Sequence, residues 1–442
     1  MKNNPLSYYN EKFEDVKREL GSIKKKTNVI SIIRLIIVVV TLIFMYLFFR
    51  EDDVNLMGLS FLIGTITFFI IAFIHNGVIN IENYKKQQYE YYEKGIKRID
   101  DKWKEFDDKG KEFIDLKHNY TSDLDIFGVG SLFQWCNVTK TKYGREALAK
   151  MLRLDELPSK SEIELRQTAI KELVGKREFC EKIYINGFKK QKKEGSIDRI
   201  LEWFKKEEKI DLTIKYVPYV FIAVTFILLF LFGIGKVPIS VVILDLVINY
   251  LVIKLMTRRL SDVTSIFINT KQDLLQYVNM INIIYEEEFK SEYLRSIQNK
   301  LKSHSIDCNK EMNKLKRIIN WLGDSNANAY YTIINVFFMA DMFILHNLEA
   351  WKKENGQEVE KWLLSMGEIE ALCSLSNIAF ENNNWNYPEI SADKLLKAEN
   401  ISHPLLGEKG KSNDFAFNYN EKVALITGSN MSGKSTFLRT IG

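Results

Sequence analysis

The chain has 442 residues, 46% of them hydrophobic and 27% charged, which supports about three packed domains and excludes a disordered tether. Its formal net charge of +5 is too small to mark a nucleic-acid binder by charge alone. The four cysteines, Cys136, Cys180, Cys308 and Cys373, form no C-x-x-C pair and the five histidines make no ligand spacing, which argues against zinc and a disulfide framework and fits a reducing compartment.

Residues 1–27 are polar and charged and predict a cytoplasmic amphipathic helix. Residues 28–49 and 56–74 are apolar for long enough to span a bilayer, and the short polar loop from Arg50 to Asn55 joins them into a transmembrane helical hairpin over 28–75. Lys24, Lys25 and Lys26 precede this pair and Lys85 and Lys86 follow it, so both ends are expected in the cytoplasm. The first run is too long for a cleavable signal peptide and lacks a small-residue cleavage site. Arg34, near the cytoplasmic end of its span, is expected to snorkel outward as an anchor.

Residues 76–118 are rich in Lys, Glu and Tyr and read as a helical linker with a solvated basic and aromatic face. Residues 119–214 form a core-like region. Within 215–256 lies a second predicted hairpin, 216–234 and 237–256 around Gly235 and Lys236, bracketed by Lys205, Lys206, Lys215, Arg258 and Arg259. Asp245 sits deep in a span and is expected to pair within the hairpin. From 257 to 366 apolar positions recur at three and four, predicting long helices within a helical lever and core over 257–398. A fifth apolar run, 331–346, is too short for a span and contains Asp341; it reads as a buried helix.

The last segment, 399–442, carries the most specific signal. Residues 422–427 are short, apolar and β-prone and predict a buried strand, and residues 436–441 begin a plausible helix. Between them Gly428, Ser429, Asn430, Met431, Ser432, Gly433, Lys434 and Ser435 fit the phosphate-binding P-loop. Glycines at 428 and 433 let backbone N–H groups close around phosphate oxygens, and the helix N-terminus adds partial positive charge. Lys434 is expected to reach the β- and γ-phosphates of ATP, Ser435 to ligate Mg²⁺ through its hydroxyl, and Thr436 to complete the binding segment.

The string from Ile426 to Arg439, with Asn430 and Met431 inside the loop and Ser435, Thr436, Phe437, Leu438 and Arg439 after it, resembles the MutS family of DNA mismatch-repair ATPases. Three upstream stretches agree with that resemblance. His403, Pro404, Leu405 and Leu406 are similar to the element that opens the family's ATPase domain. The stretch from Ile369 through Leu372, Ser374 and Leu375 to Ala379, followed by Tyr387, Pro388, Glu389 and Ile390, is similar to the helix and extended segment that enter it. Leu124, Asp125, Phe127, Gly128, Gly130, Ser131, Leu132, Thr139, Gly144, Arg145, Leu157, Pro158, Arg166 and Ala169 follow the order of the family's core domain.

With the two transmembrane hairpins read from the apolar runs, the resemblance implies a mainly α chain that also has a MutS-like helical core and lever and the start of a C-terminal α/β P-loop ATPase domain. It also implies DNA as a partner and a homodimer with ATP between two ATPase domains; the apolar spans and their flanking charges make this a multi-pass cell-membrane protein with cytoplasmic soluble parts. Two departures stand beside it. A hairpin occupies the place of the family's DNA clamp, and no Phe-x-Glu mismatch wedge lies in an N-terminal reader: Phe49 to Glu51 ends a span and Phe179 to Glu181 falls within the core region. The sequence to Gly442 does not contain the acidic strand that would position Mg²⁺ and water, so this chain is expected to be a fragment or a truncated product that does not hydrolyse ATP, and no catalytic residue is assigned. The competing readings are a transport or remodelling ATPase of the ABC class, whose hairpins move, and a non-enzymatic membrane scaffold that binds nucleotide.

Overall fold

A computed structural model of the chain describes residues 4–187, 196–205, 216–258, 261–302, 307–324, 329–391, 396–417, 420, 423–429 and 432–442. It is mainly helical. In chain order the elements are α1 (Pro5–Arg50), α2 (Val54–Ile99), α3 (Leu132–Cys136), α4 (Lys142–Arg153), α5 (Lys160–Gly175), α6 (Arg177–Asn186), α7 (Ser196–Lys205), α8 (Val217–Gly233), α9 (Ile239–Arg258) and α10 (Ser261–Glu286). They continue as α11 (Glu292–Leu301), α12 (Cys308–Asp324), α13 (Ala329–Phe338), α14 (Ala340–Asn355), α15 (Val359–Glu381), β1 (Leu396–Ile401), β2 (Asn413–Phe417) and α16 (Lys434–Ile441). Two compact units result, one of Met1–Asn137 with Leu375–Gly442 and one of Val138–Ser374.

In the first unit α1 and α2 form an antiparallel pair. Asn4 caps α1 by accepting from the Leu6 N–H (3.0 Å), with Pro5 in the first turn, and Asp53 caps α2 by accepting from the Leu56 N–H (3.0 Å). Each helix has 46 residues and is therefore about 69 Å long, more than twice the roughly 30 Å hydrocarbon core of a bilayer. Neither is interrupted between its polar and apolar halves. The apolar halves meet at the turn, are long and apolar enough to cross a membrane, and leave large side chains such as Leu35, Leu42, Phe61 and Phe73 exposed.

Arg34 does not snorkel. Its Nη1 lies 3.0 Å from Nδ1 of His75 on α2, and its guanidinium sits over the Phe68 ring at 4.9 Å. His75 is buried and its other ring nitrogen is 3.4 Å from the Ser31 hydroxyl. A polar partner one helix away holds the charge inside the pair. Toward the polar halves, Thr27 donates to Glu82 (2.7 Å) and Lys85 pairs with Glu19 (2.5 Å).

The predicted solvated face of 76–118 is instead buried where it meets the helix ends. Tyr91, Tyr92 and Arg98 are at most 5% exposed. Arg98 donates two hydrogen bonds to Glu381 of α15 (2.7 and 2.8 Å), Tyr9 of α1 donates to the same carboxylate (2.9 Å), and Tyr91 donates to Asn377 (3.0 Å). Tyr8, Tyr9, Tyr92 and Phe380 pack edge to face around this cluster. After Ile99 the chain leaves the helix and folds into short turns around Trp103, Phe113, Phe127 and Phe133. There the Gln134 side chain amide donates to the carbonyls of Lys104 (3.1 Å) and Phe106 (2.7 Å), satisfying a backbone that has no regular partner.

The second unit has a large apolar core drawn from α4 to α7, α10 to α12 and α13 to α15, with Trp351, Trp362, Phe267 and Leu294 almost inaccessible. The Phe179 to Glu181 stretch is buried in α6, as ordinary core residues. Helix α15 is also long and apolar enough to cross a membrane, but it is mostly buried within the protein and carries the buried Glu370, so it is a core helix. Helices α8 and α9 form the second apolar pair. Asp245 does pair inside it: Thr225 donates to its carboxylate (2.7 Å) and Asn249 donates to Thr225 (2.9 Å). The fifth apolar run is not one helix, because Met339 adopts a left-handed conformation (φ 47°) that separates α13 from α14.

Glu370 is 2% exposed and caps the start of α4, accepting from the backbone N–H groups of Lys140 (2.5 Å) and Thr141 (3.2 Å) and from the Thr141 hydroxyl (2.5 Å). Burial pushes its carboxyl up to about 7, with those three donors pulling the other way. Raised above an unfolded value of 4.5, the group contributes stability that is full below pH 4.5 and lost as pH rises through 7, about 3 kcal/mol in all. Thermal unfolding of the detergent-solubilised protein should therefore show Glu370→Gln gaining on the wild type as pH rises from 5 to 8; a pH-independent difference would refute the buried titration. Arg98→Met strands Glu381 in the interior and should destabilise the protein by about 3–5 kcal/mol, read by denaturant unfolding.

Candidate nucleotide-binding loop

The loop lies in the first unit, between the β1–β2 hairpin and α16. β1 and β2 pair antiparallel, with Leu396 opposite Phe417 and Ala398 opposite Phe415. Residues 423–427, expected as a buried strand, adopt no strand, and Val423 and Leu425 are 83% and 86% exposed. Such a strand is buried only between sheet neighbours. The one sheet among the described residues is the β1–β2 pair, which does not include it.

The described residues of the loop make local contacts. The Ser432 N–H donates to the Ser429 carbonyl (3.3 Å), and Gly433 precedes α16 with φ 89°, a left-handed conformation that a side chain would strain. A Cβ on Gly428 would lie 2.7 Å from the Ser432 hydroxyl, so a side chain there would require that hydroxyl to turn away. Lys434 opens α16 and folds back, its ammonium donating to the carbonyls of Gly428 (2.6 Å) and Ser429 (2.5 Å). Ser435 is exposed beside it, and the first-turn N–H groups of α16 have no acceptor within the helix. Asn430 and Met431 lie outside the described residues.

This donor set suits a phosphate chain. The described residues put a left-handed glycine, a helix N-terminus and a lysine ammonium side by side, and a hydroxyl able to ligate a hard cation follows the lysine.

Around the loop the structure joins residues that the sequence leaves hundreds of positions apart. Arg439 on α16 forms an ion pair with Asp125, in the turn that leads to α3. His403 caps the 3-10 turn Pro404–Lys409, its Nδ1 accepting from the Leu405 N–H (3.2 Å). Burial lowers the His403 pKa, the Arg439 charge lowers it further, and Asp125 opposes them. Phe437 packs edge to face on Phe415 of β2 (6.0 Å), seating the helix on the hairpin. Three separate motif strings, those containing Asp125, His403 and Arg439, thus meet beside α16. Each was visible in the sequence; the contact between Asp125 and Arg439 was not, since no spacing rule links them.

Comparison with known proteins gives a partial match. The chain is 37% identical over 95 residues to the DNA mismatch repair protein MutS of Clostridium botulinum (strain Okra / Type B1), covering 20% of this chain and 10% of that protein. It is 33% identical over 94 residues to the DNA mismatch repair protein MutS of Listeria monocytogenes serotype 4b (strain CLIP80459), covering 20% of this chain and 11% of that protein. The match thus spans about a tenth of these relatives' length. No family model matches the chain, and no solved structure does. The chain contains a MutS-related region, and the matched length far exceeds that of a phosphate loop alone.

Gly433→Ala should strain the turn by about 1–2 kcal/mol and loosen α16, seen as faster amide exchange over 434–441 with no change in α4.

Proposed function

We propose that this chain is part of a membrane-anchored, MutS-like ATP-binding protein that acts on DNA as a homodimer. The observations that carry the nucleotide reading are the left-handed Gly433 at the start of α16 and the Lys434 ammonium folded back on the Gly428 and Ser429 carbonyls. Backbone N–H groups from Gly428 to Gly433, with Asn430 and Met431 between them, would hold phosphate oxygens; Lys434 would leave its two carbonyls for the β- and γ-phosphates; Ser435 would ligate Mg²⁺, and Thr436 would add its first-turn N–H. ATP bound there supplies a polyanion whose presence or loss alters the charge balance around α16.

The DNA reading rests on the partial match to MutS proteins and on the meeting of three MutS-like strings at α16. The membrane reading rests on α1, α2, α8 and α9, whose apolar surfaces are exposed and whose short connections suit spanning hairpins. Arg34 with His75 and Asp245 with Thr225 are then charged side chains given a polar partner between paired helices.

Binding of a fluorescent ATP analogue with Mg²⁺ to the protein in detergent should be saturable and weakened about 10- to 100-fold in Lys434→Ala, the loss of one charge-assisted phosphate contact. Equal affinity in the variant would overturn the phosphate assignment. The same preparation should bind duplex, mismatched or branched DNA at low salt, with affinity falling steeply as salt rises. No binding to any of the three at low salt would overturn the DNA reading, and nucleotide turnover stimulated by a transported solute in liposomes would favour an ABC-class activity.

A further inference from the structure

The break at Met339 has a place in the fold that the apolar run alone did not reveal. Beyond it the chain doubles back: Asp341 accepts from the Tyr331 hydroxyl (2.6 Å) and the Asn335 amide (2.7 Å), and its N–H donates to the Asn335 side chain (2.9 Å). In a straight helix residues 331 and 341 would stand about 15 Å apart along the axis, beyond the reach of these side chains.

Helix α8 serves as a ruler for where the bend lies. Phe343 meets Tyr219, near the start of α8, at 5.2 Å, whereas Phe338 meets Phe226, seven residues or about 10 Å further along, at 5.8 Å. On α9 the Val336 carbonyl is level with Asn249, near the middle of the helix, while Met339 and Met342 pack with Ile253 and Met256 toward its end. Tyr331 on one side of the bend and Ile344 and Leu348 on the other belong to the main core of the unit. The chain therefore leaves that core, runs along α8 and α9 to about their midpoint, and returns.

We propose that residues 329–343 form a re-entrant helical hairpin that enters the bilayer from the same side as the ends of the second hairpin and stops near its middle, with Phe338 among lipid acyl chains. This rests on the reading of α8 and α9 as membrane spans. Phe338 is 48% exposed and continues an apolar surface with Phe226 and Phe230. Ending a helix at that depth strands carbonyls that lipid cannot satisfy. Asn249 answers this by donating to the Val336 carbonyl (3.2 Å) and to Thr225, whose own hydroxyl donates to Asp245. The three polar residues of the second hairpin thus form one chain that terminates on the end of α13, and Asn249 is the residue that docks it.

The test is site-directed spin labelling of the full chain in liposomes at Phe338→Cys, with Phe230→Cys as the lipid reference and Ser296→Cys, on α11, as the aqueous reference. The four native cysteines are buried, and the unsubstituted protein serves as the blank. Labels at 338 and 230 should both favour oxygen over an aqueous nickel chelate, with the label at 296 the reverse, and Asn249→Leu should raise nickel access at 338 several-fold while leaving 230 unchanged. A label at 230 buried in lipid with one at 338 as open to nickel as 296 would overturn the re-entrant hairpin alone. Aqueous exposure at 230 would overturn the membrane reading and this inference with it. An unchanged 338 signal in Asn249→Leu would overturn the docking role.

Discussion

One face of α15 carries a column of buried acceptors, and much of the chain is arranged to satisfy them. Glu370, Ser374, Asn377 and Glu381 recur at four, three and four residues, the spacing that keeps side chains on one side of a helix. Every member accepts a hydrogen bond: Glu370 from Lys140 and Thr141, Ser374 from the Val138 N–H (3.2 Å), Asn377 from Tyr91, and Glu381 from Arg98 and Tyr9. Leaving any of them unpaired in the interior costs more than the bond itself returns, so the donors are fixed in place. They come from the start of α4, from the base of α2 and from the second turn of α1. Within each unit, the acceptors of α15 thus fix segments distant in sequence, the start of α4 in the second and α1 with α2 in the first.

The long apolar runs were legible because a bilayer-length stretch of Leu, Ile, Val and Phe has few alternative explanations, and the phosphate loop was legible because glycine, lysine and serine at those intervals perform separable tasks. What could not be read was pairing. Tyr91 and Arg98 look like an exposed helix face until Asn377 and Glu381 are known to lie opposite them, and Arg34 looks like a snorkelling anchor until His75 is found across from it. Met339 breaks a helix with neither glycine nor proline, its conformation stabilised by the Asn335–Asp341 exchange that follows. Residues 423–427 have strand composition, yet composition does not supply the neighbours that a ladder requires.

Both apolar hairpins solve the same electrostatic problem. In the first, the Arg34 guanidinium on α1 meets the His75 ring on α2; in the second, the Asp245 side chain on α9 meets a hydroxyl on α8. Neither polar group has its opposite charge as partner, so a hydrogen bond rather than an ion pair does the holding.

The unbroken course of α1 and α2 has a mechanical meaning. Each is a strut of 46 residues, gripped near one end by the Arg98–Glu381–Tyr9 clamp and joined to its twin at the other. Over about 69 Å, a tilt of one degree at the grip moves the far tip by about 1.2 Å. Because the polar and apolar halves share one helix, there is no hinge at which such a tilt would be absorbed. Small displacements of the last turn of α15 are therefore delivered to the apolar tip as leverage.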